Sequence, residues 1–457
     1  MTNTTQPNLE THFTGAQDQT TAEIVQGTWV DLAGFTRAKN VPARRKESFA
    51  RNGLGAAKVW IVYGADNTFA ENDEFSVSGD LRLHLDTSAL RQLDSHVVWG
   101  PTNLTNQDGS PSEYDPRTLL QATERKLLDA GYTARFGFEF EFELLPTEIA
   151  AQRNPDIFGT PWGGYGATTF INNDEFFAEL VHVTEAAGIN LDQIHTEWGT
   201  YQYEVSTAPD SPVNAADKAV LLKLLLKRTA ARFGLSVILS PKPYLESAGN
   251  GGHIHFSIDH AASGAHLFSG GDQVYGITQE GGWAIAGVQK HLDSLAAVLS
   301  GSPVSLLRLQ PETWSGATIG WGLENRETAI RYLADTLGNP HGANIEVKSG
   351  DATANPYLAV SGLLLAALDG IENKLPLAKP TEGIPDSYDD AERAERGLHL
   401  FPSDYPSLTK FFDESEAARR FFGDGIVNAI VAIRELAWST YKDTPDEELA
   451  YRFRNIW

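Results

Sequence analysis

The chain of 457 residues contains no cysteine, which excludes disulfides, thiolate nucleophiles and thiolate metal ligands. Any metal must therefore be held by oxygen atoms and imidazole rings. Basic residues are also few, since 36 Lys and Arg stand against 60 Asp and Glu and leave a net charge of −24. This charge argues against nucleic acid or an anionic membrane as a partner. Apolar runs such as Leu363–Leu368 are far shorter than the ~20 residues of a membrane span, so we expect a soluble, cytoplasmic protein.

The composition changes along the chain and suggests two domains. Residues 1–20 are rich in Thr, Gln and Asn and lack the basic and apolar segments of a signal peptide, so we expect a disordered tail. Short strand-like runs and turn signals in residues 21–112 predict a small N-terminal domain. Residues 113–457 mix helices and strands without regular alternation. The pattern as a whole predicts an α+β fold.

Local signals place several elements. We predict strands at Thr28–Leu32, Val59–Tyr63, Leu81–Leu85 and Leu235–Leu239. Helices are predicted at residues 116–130, 214–233, 282–300 and 356–371. Two of these helices begin with an N-cap residue followed by proline, namely Asp115-Pro116 and Asn355-Pro356.

The stretch Arg135–Pro146 alternates apolar and acidic residues with the two-residue period of a strand. A strand would direct the phenylalanines to the core and the glutamates to the opposite face, about 7 Å apart. These residues are Phe138, Phe140 and Phe142, and Glu139, Glu141 and Glu143. Carboxylates on one face repel each other and are costly to desolvate. The face is therefore either a solvated surface or a binding site for divalent cations.

Two further clusters carry metal-ligating side chains. Glu197 and Glu204 flank a glycine-containing turn, so both could enter one cavity from the arms of a hairpin, or both could be surface acids. His253, His255 and Ser257 share one strand face directly after a glycine run, whose backbone can approach a ligand closely.

Charged residues of the last third suggest either an anion-binding site or a solvated face. Arg308, Arg326 and Arg331 stand out in an acidic chain, because arginine is the preferred partner of carboxylate and phosphate. Glu346 and Lys348 share one strand face, which is consistent with a binding site or with a simple ion pair.

In this order and at these spacings, the clusters resemble the glutamine synthetase superfamily from about Trp29 to the end of the chain. Further matching motifs are Gly137-Phe-Glu139-Phe-Glu141, Pro241-Lys-Pro243, His253-Ile-His255, Arg308-Leu-Gln-Pro311 and Ala354-Asn-Pro-Tyr-Leu358. The resemblance implies a β-grasp-like N-terminal domain and a catalytic domain with a curved antiparallel sheet backed by helices. It also implies a homo-oligomer, expected as a dodecamer of two stacked hexameric rings.

The resemblance assigns two divalent metals, Mg²⁺ or Mn²⁺, to the acidic face. One metal would be held by Glu141, Glu197 and Glu204, and the other by Glu139, His253 and Glu346. Glu143 matches no ligand position, so we expect it to face solvent or a partner. The resemblance therefore favours the metal-binding interpretation of the strand.

The remaining site residues are also implied by matching positions. Those that would contact ATP and its phosphates are His255, Ser257, Arg326 and Arg331. Those that would hold substrate glutamate are Arg308, Lys348 and the backbone at Gly249. Arg326 would in addition neutralise charge on the transferred phosphoryl group. Asp66 occupies the spacing of the family's ammonia-deprotonating aspartate and would act in the site of the neighbouring subunit.

Several positions depart from ammonia-using members. Trp314 stands where those enzymes have a glutamate that helps bind ammonium, and Tyr201 replaces a glycine beside Trp198. Lys348 replaces an arginine, which keeps the charge but loses the bidentate fork. Aromatic walls suit a hydrocarbon or aromatic amine.

These departures predict an ATP-dependent ligase that joins the γ-carboxyl of glutamate to an amine through a γ-glutamyl phosphate. They resemble γ-glutamylpolyamine and γ-glutamylanilide synthetases, and they favour a monoamine or aromatic amine. The alternatives are an ordinary glutamine synthetase that uses ammonia and a non-catalytic member that serves as a binding protein.

Overall fold

The computed structural model describes residues 22–76 and 78–457, so the tail predicted at residues 1–20 lies outside the described residues. The first part of the chain forms a six-stranded sheet. Its strands are β1 (Ile24–Val30), β2 (Thr36–Pro42), β3 (Leu54–Ala57), β4 (Asp80–Leu85), β5 (Arg91–Gln92) and β6 (Val97–Thr105). The order is β2-β1-β6-β4-β3, with β5 also on β6, and among the described strands of this sheet only the β1–β6 pair is parallel.

The prediction of a strand at Val59–Tyr63 is wrong, because residues Lys58–Val62 form a 3₁₀ helix. Ile61 and Val62 are both fully buried, although they are neighbours in sequence. A strand would direct these two side chains to opposite faces of a sheet, whereas a helical turn buries both on one side. The strands predicted at Thr28–Leu32 and Leu81–Leu85 correspond to β1 and β4.

The rest of the chain builds a nine-stranded sheet. Its strands are β7 (Tyr132–Pro146), β8 (Leu191–Thr196), β9 (Gln202–Thr207), β10 (Leu235–Ile238), β11 (Gly252–His260), β12 (Thr318–Leu323), β13 (Thr328–Leu333), β14 (Asn344–Val347) and β15 (His399–Leu400). The order is β15-β12-β13-β14-β11-β7-β9-β8, with β10 also on β7. Within this sheet, every pair of described strands is antiparallel except β12–β13.

Thirteen α-helices occur in the described residues. The first seven are α1 (Lys46–Asn52), α2 (Pro116–Asp129), α3 (Thr147–Ala150), α4 (Ala167–Phe170), α5 (Asp174–Ala186), α6 (Pro212–Arg232) and α7 (Gln279–Leu299). The others are α8 (Ser305–Arg308), α9 (Pro356–Glu372), α10 (Asp390–Arg396), α11 (Tyr405–Asp413), α12 (Glu416–Tyr441) and α13 (Asp446–Phe453). The four predicted helices correspond to α2, α6, α7 and α9. No helix of the described ranges has the length and apolar character needed to cross a membrane.

The core lies behind the large sheet and fixes the orientation of β7. Phe138, Phe140 and Phe142 are buried, and α2 and α6 pack on this side of the strand. The alternation therefore leaves the acidic side chains of β7 on the other face of the sheet.

Buried polar contacts join the two sheets. The Arg117 guanidinium on α2 forms ion pairs with Asp217 on α6 and with Asp86, which follows β4. Asn355 caps α9 through its side-chain oxygen, and its Nδ2 donates to the carbonyl oxygens of Val30 and Asp31. These contacts hold the N-terminal sheet against helices α2, α6 and α9.

Candidate active site

The acidic face of β7 lines an open cavity of about 1440 Å³. Side chains from β8, β9, β11, β13 and β14 line it as well, because these strands belong to the same sheet. Fourteen of the residues singled out from the sequence line it together: Glu139, Glu141, Glu197, Glu204, Gly249, His253, His255, Ser257, Arg308, Trp314, Arg326, Arg331, Glu346 and Lys348. Asp66 and Tyr201 lie outside it.

His253 on β11 connects the carboxylates of two strands. It pairs with Glu139 in the β7–β11 register, and its Nδ1 lies 3.1 Å from Glu139 Oε2 and 3.3 Å from Glu346 Oε1. Burial raises the pKa of Glu139, but hydrogen bonds with His253 and His255 outweigh it and hold that pKa below its usual range. The side chains of Glu139, His253 and Glu346 thus lie in direct contact.

The hairpin of β8 and β9 brings Glu197 and Glu204 to the same cavity, as their spacing suggested. Between them lies His195, whose Nε2 is 3.0 Å from Glu204 Oε1 and whose Nδ1 is 3.4 Å from Glu197 Oε1. Burial, together with the negative charge of Glu141, raises the pKa of Glu197. Burial also raises the pKa of Glu204, although the hydrogen bond from His195 opposes it. A cation would relieve this repulsion between carboxylates.

Two residues of this cluster, His195 and Tyr165, were not predicted from the sequence as part of the site. His195 is two positions before Glu197 on a strand, and this spacing is a signal that could have placed both on one face. Tyr165 belongs to a glycine-rich loop, and its hydroxyl donates to Glu197 Oε2 at 2.7 Å. Nothing in the local sequence links that loop to Glu197, which lies 32 residues later.

Glu141 is held by the glycine run that precedes β11. The backbone N–H of Gly251 donates to Glu141 Oε2 at 2.6 Å, and Glu141 N donates back to Gly251 O at 3.1 Å. Glu141 also faces Glu204 in the β7–β9 register. Its carboxylate therefore lies beside the Glu197–Glu204 pair and has a fixed orientation.

The expectation that Glu143 faces solvent or a partner is wrong. Glu143 is only 1% exposed and accepts a hydrogen bond from Asn250 Nδ2 at 2.6 Å. Burial raises its pKa to about 8, although the hydrogen bond from Asn250 opposes the shift. The loop before β11 covers this end of the glutamate row, so the carboxylate lies beneath it and does not line the cavity.

The residues matched to ATP positions lie along β11, β13 and the loop between β12 and β13. His255 Nε2 lies 3.0 Å from Glu139 Oε1, and its Nδ1 lies 2.9 Å from Asn344 Oδ1. Arg331 Nη1 donates to Glu346 Oε2 at 3.0 Å. Arg326 is exposed and Ser257 is half-buried, so both present polar groups to the cavity.

The residues matched to glutamate positions form the most buried cationic part of the cavity. Arg308 is 5% exposed, and its guanidinium donates to Gly350 O at 3.1 Å and to Lys348 O at 3.2 Å. Lys348 Nζ donates to Glu346 Oε1 at 3.2 Å. Gly249 has φ +88°, and a Cβ there would lie 2.9 Å from Pro241 O, so glycine is required.

Aromatic side chains stand at the mouth of the cavity. Trp314 is 60% exposed with φ +57°, a conformation uncommon for residues other than glycine, and Trp198 is 75% exposed. The assignment of Tyr201 to this surface is wrong, because its ring packs 5.7 Å from that of Trp162 and against a small buried cluster. Tyr201 directly precedes β9, whose Gln202 and Glu204 line the cavity, so alternation places it on the side of Tyr203. The rings of Tyr201 and Tyr203 both pack against Trp162.

The side chains on the acidic face fit divalent metal ions. Among the described residues, three sets of two glutamates and one histidine bring their ligand atoms within 4.8 Å of one another. They are Glu139, His255 and Glu346; Glu139, Glu204 and His253; and His195, Glu197 and Glu204. Oxygen-rich sites with an imidazole suit Mg²⁺ and Mn²⁺. Burial raises the pKa values of Glu197 and Glu204, and a divalent cation bound beside them would lower these values.

Sequence and structure comparisons agree with this geometry. The family profile described as glutamine synthetase, catalytic domain, matches residues 113–452. A gamma-glutamylpolyamine synthetase of Streptomyces coelicolor is 32% identical, over 96% of each chain. A glutamine synthetase of Pyrococcus horikoshii is 28% identical, over 92% of this chain and 90% of the relative.

Solved structures show the same likeness. The crystal structure of a glutamine synthase homologue superposes with a TM-score of 0.84 at 26% identity, covering 97% of this chain and 100% of the other. A complex of GmaS with ADP gives 0.80 at 25% identity, covering 93% and 95%. Fold and site thus define an ATP-dependent carbon–nitrogen ligase. The chain belongs to the glutamine synthetase family, whose members use ATP, a divalent metal, glutamate, and ammonia or an amine.

Proposed function

We propose that this protein joins the γ-carboxyl group of L-glutamate to an amine through γ-glutamyl phosphate, giving a γ-glutamylamide, ADP and phosphate. The observation that carries the proposal is the aromatic surface formed by Trp198 and Trp314 at the cavity mouth. Indole rings supply apolar area but no negative charge for an ammonium ion. The relative named gamma-glutamylpolyamine synthetase supports an amine acceptor.

The metal and phosphate roles follow from the charges around the cavity. Two divalent cations would neutralise charge on the transferred phosphoryl group. Their proposed ligands are Glu141, Glu197 and Glu204 for one ion, and Glu139, His253 and Glu346 for the other. Arg326 and Arg331 would bind the phosphates together with His255 and Ser257. The buried Arg308 and Lys348 would bind a carboxylate of glutamate, with the backbone of Gly249 beside them.

The amine would lie between the metal ligands and the cavity mouth. Glu197, oriented by the Tyr165 hydroxyl, would attract the nitrogen, and Trp198 and Trp314 would cover the hydrocarbon part. The nucleophile must lose a proton, which Asp66 of a neighbouring subunit would accept. Asp66 lies outside the cavity of its own chain, which supports a ring-shaped homo-oligomer as part of this proposal.

Phosphate release from ATP and glutamate tests the proposal directly. The assay compares ammonia with aliphatic monoamines, aromatic amines and polyamines, each with Mg²⁺ and with Mn²⁺. We expect one amine class to stimulate release far more than ammonia does, and a monoamine or aromatic amine to be best. No stimulation by any amine would overturn the proposal.

An ordinary glutamine synthetase is the second candidate function. The Tyr165–Glu197 pair favours it, because a carboxylate held by a hydroxyl group also suits a small cation such as ammonium. Turnover with ammonia at low millimolar concentration, unchanged by added amines, would establish this second function.

A further inference from the structure

Glu143 is a buried glutamate that has no role in the proposed reaction. It lies between β9 and β10, where it faces Gln202 on one side and Ile238 on the other. A buried carboxylate is costly unless hydrogen bonds compensate for its lost hydration. Its side-chain partner is Asn250, whose own side chain is fully buried.

Asn250 joins Glu143 to the glycine loop, which we define as Gly249–Gly252. Its Nδ2 donates to Glu143 Oε2 at 2.6 Å and to Ser240 O at 2.9 Å. Its Oδ1 accepts from Gln202 Nε2 at 3.0 Å, and its backbone N–H donates to Pro241 O at 2.8 Å. The carboxylate thus orients the Asn250 amide, and both ends of that amide are fixed.

The glycine loop in turn touches the proposed metal and glutamate sites. Gly251 N donates to Glu141 Oε2 at 2.6 Å, and Gln202 Nε2 donates to Gly249 O at 2.6 Å. A shift of this loop would therefore move the Glu141 carboxylate and the Gly249 backbone together. The glycines of the loop do not prevent such a shift, because glycine has the greatest backbone freedom of any residue. Other residues must therefore hold the loop in place.

We propose that Glu143 and Asn250 are positioning residues, which hold the glycine loop so that Glu141 and the Gly249 backbone face the cavity in a fixed orientation. They act from beneath the loop and touch neither metal nor substrate. Groups that orient a metal ligand in this way typically change metal affinity by about 10- to 100-fold when removed.

Two measurements test this role without requiring turnover. One is amide hydrogen exchange of the metal-free protein, and the other is the affinity for Mn²⁺. Glu143→Leu removes the acceptor for Asn250, and Asn250→Ala removes the donor. We expect amide hydrogens of residues 249–252 to exchange faster in both variants, and Mn²⁺ to bind about 10-fold more weakly by calorimetry. Because the two residues act as one unit, the double variant should be no worse than the more affected single variant.

Controls separate positioning from a general loss of stability. Glu148→Leu changes an exposed glutamate just after β7 and should behave as the original protein. Glu143→Gln keeps an oxygen that can accept from Asn250 and should recover part of the loop protection. Unchanged exchange and unchanged Mn²⁺ affinity in folded Glu143→Leu and Asn250→Ala would overturn the proposal.

The kinetic part of the test rests on the proposed function. We expect the KM for glutamate to rise about 10-fold in Glu143→Leu while the KM for ATP changes little, since the loop lies beside the glutamate residues. If the unaltered protein shows no ligase activity, the proposed function fails. The exchange and calorimetric results would still decide whether Glu143 positions the loop.

Discussion

In the proposed function, the choice of nucleophile depends most on Trp314. Trp314→Glu would place a negative charge at the cavity mouth and remove an apolar surface. We expect phosphate release with ammonia to increase and the KM for the preferred amine to rise about 10-fold. Trp314→Phe keeps an aromatic ring and should retain the amine preference. An unchanged preference in Trp314→Glu would show that this side chain does not contact the acceptor.

Lys223 on α6 should give the protein an unusual dependence of stability on pH. Its buried Nζ donates to Ala352 O at 3.0 Å, and burial lowers its pKa from 10.5 to about 8, although Asp351 opposes the shift. Between these two values the unfolded chain binds more protons than the folded one, so stability rises with pH. Below pH 8 the charged folded lysine costs roughly 3 kcal/mol.

We therefore expect Lys223→Met to unfold at a higher temperature than the original protein at pH 7, and this advantage to shrink as pH approaches 10. Thermal unfolding of metal-free protein from pH 7 to pH 10 measures the difference. Lys126→Met, which changes an exposed lysine on α2, should show no such trend. A constant difference across this range would mean that Lys223 keeps an ordinary pKa in the fold.

Individual site residues were predictable where a family motif and a strand period agreed. Glu139, Glu141 and His253 were placed correctly in the cavity because their alternation on β7 and β11 fixes a face. The same alternation failed for Glu143, since it cannot show that Asn250, 107 residues later, covers one end of that face. The prediction for Tyr201 was wrong because the period of β9 gives it the side of Tyr203, where both rings pack against Trp162, and the opposite side to Gln202 and Glu204.

At the scale of elements, helices with explicit start signals were the most predictable. Asp115-Pro116 and Asn355-Pro356 mark the observed beginnings of α2 and α9. The apolar run at Val59–Tyr63 carries no periodic signal, and burial of adjacent side chains decided its 3₁₀ conformation. Pairing across the large sheet joins strands far apart in sequence, so only the family resemblance indicated that the clusters would meet.

Asn355 should stabilise α9 and its contact with the N-terminal sheet together. Its Oδ1 accepts from the backbone N–H groups of Tyr357 and Leu358, and its Nδ2 donates to the carbonyls of Val30 and Asp31. We expect Asn355→Ala to lower the free energy of unfolding by about 2 kcal/mol, because a cap and buried carbonyl contacts are both lost.

Asn355→Asp separates these two contributions, since aspartate keeps the capping oxygen but cannot donate to Val30 or Asp31. Chemical denaturation of both variants measures the effects. An equal loss in the two variants would assign the stabilisation to the contact between domains. No loss in Asn355→Asp would assign it to the helix cap alone.

At the scale of the whole molecule, the role proposed for Asp66 predicts that one chain alone is not sufficient for activity. Its carboxylate accepts from the Thr68 hydroxyl at 2.6 Å and from the hydroxyl of Tyr441 on α12, outside the cavity. If a neighbouring subunit supplies Asp66, each active site needs residues from two chains. Asp66→Asn and Glu139→Gln would then disable different halves of the same site.

Mixed oligomers of these two variants test the arrangement. Each variant alone should be inactive. Random assembly of both should restore roughly a quarter of the sites, because one interface in four pairs an intact Asp66 with an intact Glu139. Phosphate release after co-expression, with subunit composition checked by mass spectrometry, measures the recovery. If Asp66 instead served its own chain, every chain in the mixture would remain defective and no activity would return.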